Sequence, residues 1–320
     1  MKDSFDRRID YLRLSVTDRC NLRCFYCSPG RNFVFIPPQE VLSYEEFLRL
    51  ARLALEIGVT RFRITGGEPL VRRGLAGFIR SLVELKGTED IALTTNGVLL
   101  RDNMNSLWEA GLRRINISLD SLDPQAYHEI TGGGHLQNVL DAIDGALKKG
   151  FSPVKINAVL LKGKNDDLSP FVTLAAEKSV HVRFIELMDF SPSPQAYFVS
   201  GVEALARLAR FGRPEEAAAP EGSGPARYFT LPGMKGSIGF ISPYSDHFCA
   251  SCNRLRISAD GRLLPCLFSG WSMDLKKILR SGADDDSLKA ALRNALSRKP
   301  RRREEAAAGE RGNGLRTIGG

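Results

Sequence analysis

The chain of 320 residues carries 45 Lys or Arg against 37 Asp or Glu, a formal net charge of +8, with 43% hydrophobic and 26% charged residues. That composition suits a globular chain able to bury a sizeable core. No apolar run approaches bilayer length and residues 1–8 hold no signal-peptide apolar stretch, which excludes a membrane-spanning class and makes the cytoplasm the expected location. The positive balance admits a nucleic acid or a polyphosphate small molecule as partner.

From residue 10 to about residue 187, strand-like runs alternate with helix-like ones. Strands are expected at 11–16, 61–65, 91–95, 115–120, 154–159 and 182–187. Ser43-Tyr44-Glu45-Glu46 is a capping box opening a helix whose Phe47, Leu50, Ala51 and Ala54 share one face, with Gly58 as its stop. Asp123-Pro124 opens another helix, Asp as N-cap and Pro in the first turn, and residues 136–149 form a third that ends at Gly150. Six β-then-α units in series call for parallel strands with helical crossovers.

Parallel strands covered on both faces read as continuous apolar runs, but these alternate. Leu12 and Leu14 oppose Arg13 and Ser15; Phe62 and Ile64 oppose Arg63 and Thr65. Ile115 and Ile117 oppose Asn116 and Ser118; Val154 and Ile156 oppose Lys155 and Asn157. One face therefore packs on helices while the other meets water or a polar ligand. The expected fold is α/β, an incomplete (βα)6 TIM-like barrel with a polar lumen. Beyond it, residues 201–212 read as one helix and 213–227 as a low-complexity linker or surface loop. A compact region follows from 228 to about 295, and the basic run at 298–303 reads as a solvated or flexible segment. Three parts are expected: 1–198, 199–298 and a flexible tail at 299–320.

The six cysteines fall into two triplets, Cys20/Cys24/Cys27 and Cys249/Cys252/Cys266. Without an export signal they read as two metal sites rather than three disulfides. The first triplet sits on one loop directly after the first strand. Three thiolates hold three corners of an iron–sulfur cube and leave the fourth iron open to a small molecule, whereas electron-transfer clusters usually take four. Tetrahedral zinc would need a fourth ligand that this loop lacks. The second triplet leaves two readings open. One is zinc completed by His247; the other is a cluster beside Asn253-Arg254-Leu255-Arg256, whose arginines project to one side of an extended segment and suit capture of phosphate.

The first loop resembles that of the radical S-adenosylmethionine superfamily, and Gly66-Gly67-Glu68-Pro69 resembles its segment for the amino group of that cofactor. Thr17-Asp18-Arg19-Cys20, Arg63-Ile64-Thr65-Gly66-Gly67-Glu68-Pro69-Leu70, Thr94-Thr95-Asn96-Gly97, Phe184-Ile185-Glu186-Leu187-Met188, Gly239-Phe240-Ile241-Ser242-Pro243 and Cys252-Asn253-Arg254-Leu255-Arg256 follow in that order. Together with the terminal Gly319-Gly320 they resemble the GTP 3′,8-cyclase family, lyases of the first step of molybdenum-cofactor biosynthesis.

The resemblance implies two [4Fe-4S] clusters. Cys20, Cys24 and Cys27 would bind S-adenosylmethionine, aided by Tyr26, Gly67, Ser118 and Met188. GTP would lie in the lumen against a C-terminal extension carrying Cys249, Cys252 and Cys266. Its implied contacts are Arg13, Arg63, Thr94, Lys155, Arg183, Arg254 and Arg256, with the backbone near Leu255. Arg13, Gly319 and Gly320 are the implied catalytic residues, with the tail entering the site. By the same resemblance, a 5′-deoxyadenosyl radical takes hydrogen from ribose C3′ of GTP and the carbon radical attacks guanine C8. The product is (8S)-3′,8-cyclo-7,8-dihydroguanosine 5′-triphosphate.

Implied partners are a low-potential electron donor of flavodoxin or ferredoxin type and a downstream pyranopterin monophosphate synthase, with a homodimer as one option. Neither a membrane nor a nucleic acid is expected. Cationic side chains in a lumen are costly without an anion, and a triphosphate supplies one. The rivals are a peptide-modifying radical enzyme, an iron–sulfur electron-transfer or nucleic-acid module and a zinc-stabilised scaffold.

Overall fold

A computed structural model describes residues 1–27, 34–188, 190, 194–222, 224–306 and 315–319. Its strands are β1 (Tyr11–Ser15), β2 (Arg61–Thr65), β3 (Asp90–Thr95), β4 (Arg114–Ser118), β5 (Val154–Leu160), β6 (Val180–Glu186), β7 (Glu215–Ala217), β8 (Arg227–Thr230), β9 (Ser237–Ile241), β10 (Arg254–Ile257), β11 (Arg262–Leu264) and β12 (Met273–Asp274). The helices are α1 (Tyr44–Glu56), α2 (Leu75–Glu84), α3 (Leu100–Glu109), α4 (Pro124–Thr131), α5 (Leu136–Lys149) and α6 (Ser169–Glu177). After them come α7 (Pro194–Tyr197), α8 (Gly201–Leu208), α9 (Leu275–Arg280), α10 (Asp285–Ser297) and α11 (Leu315–Ile318).

Local chemistry accounts for the helix ends. Ser43 Oγ accepts from the Glu46 amide while the Glu46 carboxylate accepts from the Ser43 amide, closing the capping box of α1. Asp123 caps α4 by accepting from the Ala126 amide, and Pro124 stands in its first turn. Gly150 ends α5 in the left-handed region at φ +98°, where a Cβ would be strained. The run at 201–212 is not one helix: α8 ends at Leu208 and a 3-10 turn, Ala209–Phe211, follows.

All twelve strands among the described residues join one sheet in the order β12-β11-β10-β1-β2-β3-β4-β5-β6-β9-β8-β7. The ladder from β10 through β1–β6 to β9 is parallel throughout. The C-terminal region therefore does not stand apart from the first six strands. It contributes β10 beside β1 and β9 beside β6, so one parallel strand is added at each edge. Residues 213–227, read as a linker or loop, contain β7, which pairs antiparallel with β8.

The alternation predicts which face packs. Leu12, Leu14, Phe62, Ile64, Ile115, Ile117, Val154 and Ile156 join the main core with Phe47 and Leu50 of α1, Phe78 and Ile79 of α2, and Val139 and Ile143 of α5. Each such side chain stabilises the fold by about 1.5–3 kcal/mol on burial. The opposite face is also buried: Arg63 is 5% exposed, Lys155 4%, Arg183 4% and Arg256 5%. Buried cations in register on neighbouring strands are the feature that needs an explanation.

Candidate active site

The first triplet leaves β1 on a loop held from three sides. The Gly67 amide donates to Thr17 O at 2.7 Å and the Glu68 amide to Arg19 O at 2.8 Å. Arg23 and Phe25 amides donate to Thr131 O and Ile130 O at the end of α4. A Cβ on Gly67 would lie 2.3 Å from Arg19 O, and one on Gly66 2.6 Å from Thr17 O. The two glycines thus let the segment after β2 close against the backbone of the cysteine loop, a steric duty beside any ligand contact.

Two buried carboxylates brace this end. Glu68, raised to about 7 by burial, accepts from Thr95 Oγ1 at 2.8 Å and from the Asn96 and Leu70 amides at 2.7 and 3.0 Å. Asp120, raised to about 6 by burial, accepts from Tyr26 Oη at 2.6 Å and the Val159 amide at 2.9 Å. The Tyr26 hydroxyl thereby links Asp120 to the cysteine loop, where it also acts on the Cys24 thiol. Burial, then Asp120, Cys27 and Cys20, push the Cys24 thiol well up, a sign that the three sulfurs lie near one another. Ser118 ends β4 in register with Asn157, which lines the cavity described below.

The second triplet opens on a cavity. Cys249 lies in a 3-10 turn, Cys252 directly precedes β10 and Cys266 follows β11; all three line the cavity with Arg13, Arg63, Thr94, Arg183, Met188, Arg254 and Arg256. Among the described residues that line it, nine are Arg or Lys and none is Asp or Glu. Parallel register explains the convergence: Arg13 pairs with Arg256 on one side and Arg63 on the other. Burial and then Arg256 hold Arg13 well below its usual value; burial and then Arg254 bring Arg256 to about 10. Arg63 Nε, Arg183 Nε and Thr94 Oγ1 are buried without a hydrogen-bond partner among the described residues. A polyanion would satisfy both the charge and the donors.

Cys252 shows the same field. Burial raises its thiol, but Arg254 and Lys299 outweigh burial and bring it down to about 6. No three His, Cys, Asp or Glu side chains among the described residues converge on one point as a single ion requires. His247, the candidate fourth zinc ligand, instead places Nδ1 2.8 Å from Pro243 O and Nε2 3.5 Å from Glu304. Three thiolates around one cavity, with their fourth side facing cations, fit an iron–sulfur cube with an open iron better than tetrahedral zinc.

Some expected residues sit elsewhere. Lys155 is not among those lining the cavity; its Nζ donates to Glu221 O at 2.7 Å and Pro220 O at 3.3 Å. Burial and then Arg183 bring it to about 6. The Leu255 side chain belongs to the main core, on the face opposite Arg254 and Arg256. Gly319 reaches the site: its carbonyl accepts from Arg256 Nη1 at 2.9 Å, and at φ +69° a Cβ would lie 2.2 Å from Thr65 Cγ2. Gly320 lies outside the described residues.

Other cavity residues escaped sequence reasoning. Lys299, in the run read as solvated, is 3% exposed and lines the cavity, as do Arg7 and Arg303. Tyr11 and Asn157 were legible in principle, since they share strand parity with Arg13 and Lys155.

Comparison with known proteins agrees with this geometry. Residues 14–174 match the Radical SAM superfamily and residues 180–305 match Molybdenum Cofactor Synthesis C. The GTP 3′,8-cyclase of Thermodesulfovibrio yellowstonii is 45% identical over 304 residues, 94% of each chain. That of Alkaliphilus oremlandii is 41% identical over 326 residues and covers 100% of both. Streptococcus suis SuiB bound to S-adenosylmethionine shares the fold alone, at a TM-score of 0.60 and 17% identity, covering 89% of this chain and 68% of that one. With both family regions in order and full-length relatives above two-fifths identity, the chain belongs to the GTP 3′,8-cyclase family of radical S-adenosylmethionine enzymes.

Proposed function

We propose that this chain converts GTP to (8S)-3′,8-cyclo-7,8-dihydroguanosine 5′-triphosphate, with Cys20, Cys24 and Cys27 holding one [4Fe-4S] cluster and Cys249, Cys252 and Cys266 the other. The observation that carries the reading is the cavity shared by the second triplet and nine cations with no carboxylate among its described lining. When bound, the clusters and S-adenosylmethionine supply radical hydrogen abstraction and electron transfer.

The chain's own residues do the rest. Arg13, Arg63, Arg183, Arg254 and Arg256 grip the triphosphate, and Thr94 Oγ1 donates to the nucleotide. Bidentate guanidinium–phosphate pairs fix orientation as well as charge, so the ribose is held still relative to the first triplet. Lys155 Nζ exchanges its Pro220 and Glu221 carbonyls for phosphate oxygens. Gly67, Ser118, Met188 and Tyr26 line the S-adenosylmethionine side. Gly319 brings a narrow tail beside Arg256, and by the family resemblance Gly319 and Gly320 are the catalytic residues of that tail. Arg13, between Arg63 and Arg256, faces the reacting end.

In this reading the parallel strands curve as an incomplete barrel. Residues 1–198 generate the radical, 199–298 carry the second cluster, and 299–320 are the tail that ends in Gly-Gly. Among the described residues no helix is long and apolar enough to cross a membrane, and we place the chain in the cytoplasm. There it takes electrons from a flavodoxin- or ferredoxin-type donor and passes its product to a pyranopterin monophosphate synthase.

The test is anaerobic incubation of the reduced holoprotein with S-adenosylmethionine, with and without GTP. The expected outcome is 5′-deoxyadenosine formation that rises with GTP and matches a cyclised product. Cofactor cleavage indifferent to GTP would show that the substrate is another molecule.

A further inference from the structure

Lys299 follows α10 by two residues and buries its ammonium against the second triplet. Its Nζ donates to Arg254 O at 2.8 Å and to Pro265 O at 2.8 Å, and it lies 3.5 Å from Cys252 Sγ. These contacts use all three donors of an ammonium, so it has none left for a nucleotide. The two carbonyls are not random acceptors. Arg254 stands two residues after Cys252, and Pro265 directly precedes Cys266. One side chain thus ties the two halves of the triplet across the antiparallel pair β10–β11.

The segment that carries Lys299 is itself fastened to the third cysteine. Arg7 donates through Nη1 to Cys249 O at 2.9 Å and Arg301 O at 3.2 Å, and through Nη2 to Pro300 O at 2.8 Å. Arg7 is held in turn by Asp3 at 2.6 Å. Burying a positive charge costs heavily unless an anion answers it, and the Cys252 sulfur is the group placed to answer Lys299. Arg254 also approaches that sulfur, at 3.6 Å, but it faces the cavity and is committed to the nucleotide in the reading above.

We propose that Lys299 is a positioning residue of the second cluster: it clamps Cys252 and Cys266 into one site and supplies a fixed positive charge that raises the reduction potential of the cluster they hold. The inference rests on the two-cluster reading. Adding an electron to a cluster is favoured by a neighbouring cation and disfavoured by its loss, so charge at this distance acts on the potential rather than on substrate binding.

The experiment compares Lys299→Met and Lys299→Arg with the parent holoprotein, purified anaerobically. Iron content, thermal unfolding and an EPR-monitored redox titration are measured without S-adenosylmethionine or GTP, so that no step of turnover enters. In Lys299→Met the second-cluster signal is expected to move to more negative potential while the first-cluster signal stays in place, and Lys299→Arg is expected to recover most of the shift. Failure of the Met variant alone to load the second cluster also supports the clamp. An unmoved second-cluster potential in a fully loaded Lys299→Met protein overturns the proposal. So does equal loss of the second cluster from both variants, which would leave packing as the only role. A parent protein without a second cluster would overturn the two-cluster reading instead.

Discussion

The two cysteine triplets use the same ligand and face opposite surroundings. Cys24 and Cys27 pack against an apolar cluster of Tyr26, Ile130, Leu161 and Leu187, and after burial itself Asp120 acts most strongly on the Cys24 thiol. The Cys24 thiol is pushed up by burial and that carboxylate, whereas Cys252 is brought down to about 6 because Arg254 and Lys299 outweigh burial. A cluster among apolar groups and a carboxylate resists an added electron and reduces strongly once it has one. A cluster held among cations would accept electrons more readily, and those same cations suit an anionic substrate. This contrast supports the proposed division of labour, with cofactor cleavage at the first triplet and GTP at the second.

The largest expected effect breaks one side only. Cys24→Ala should remove about half of the iron, abolish 5′-deoxyadenosine formation and leave the second-cluster EPR signal in place. Loss of both signals would mean that the two sites fold as one. Next is Gly67→Ala, whose Cβ would meet Arg19 and Asp18 backbone atoms. A cost of about 1–3 kcal/mol is expected, seen as a lower unfolding midpoint and reduced loading of the first site. Undiminished first-site iron would show that the loop can shift to make room.

On the other side, Arg254→Ala should weaken GTP binding about 10- to 100-fold, the loss of one charged hydrogen-bonded contact, while GTP-independent cofactor cleavage persists. Equilibrium dialysis with labelled GTP measures the first and chromatography of 5′-deoxyadenosine the second; unchanged affinity would remove Arg254 from the phosphate site.

The smallest effect is a fraction of a proton. Lys155 stands at about 6 because burial and Arg183 disfavour its charge. A phosphate partner favours the charged form, so its value rises on binding. GTP binding above pH 6 should therefore take up protons, and affinity should fall as pH rises through the window above 6. Calorimetry at pH 8 in buffers of different ionisation enthalpy reads the uptake, with Lys155→Met as the control. Equal uptake in that variant would leave Lys155 on its Pro220 and Glu221 carbonyls.

Much of the scaffold was legible from short-range pattern. Strand parity separated Leu12 and Leu14 from Arg13, and Phe62 and Ile64 from Arg63, because side chains of a strand alternate whatever the strand pairs with. The Ser43 and Asp123 caps and the Gly150 stop are satisfied within a few residues, so they too could be read locally. β7 was missed because it is three residues long and the run 213–227 around it, rich in Pro, Glu, Ala and Gly, carries no period-two signal.

Cys20–Cys24–Cys27, the loop that organises the chain, was named from spacing alone, since three ligands within eight residues must share a site. What spacing could not say is what surrounds them. Arg7 and Lys299, close in space at the second triplet, are separated in sequence by nearly the whole chain. The addition of β9 and β10 to opposite edges of the first six strands was equally hidden, as was the contact of Gly67 with the cysteine loop. Which cysteines fall together is a local property of the residues, and the sequence by itself determined it; the partners of His247 and the electrostatic contrast between the two triplets are sums over distant neighbours, and only the tertiary structure decided them.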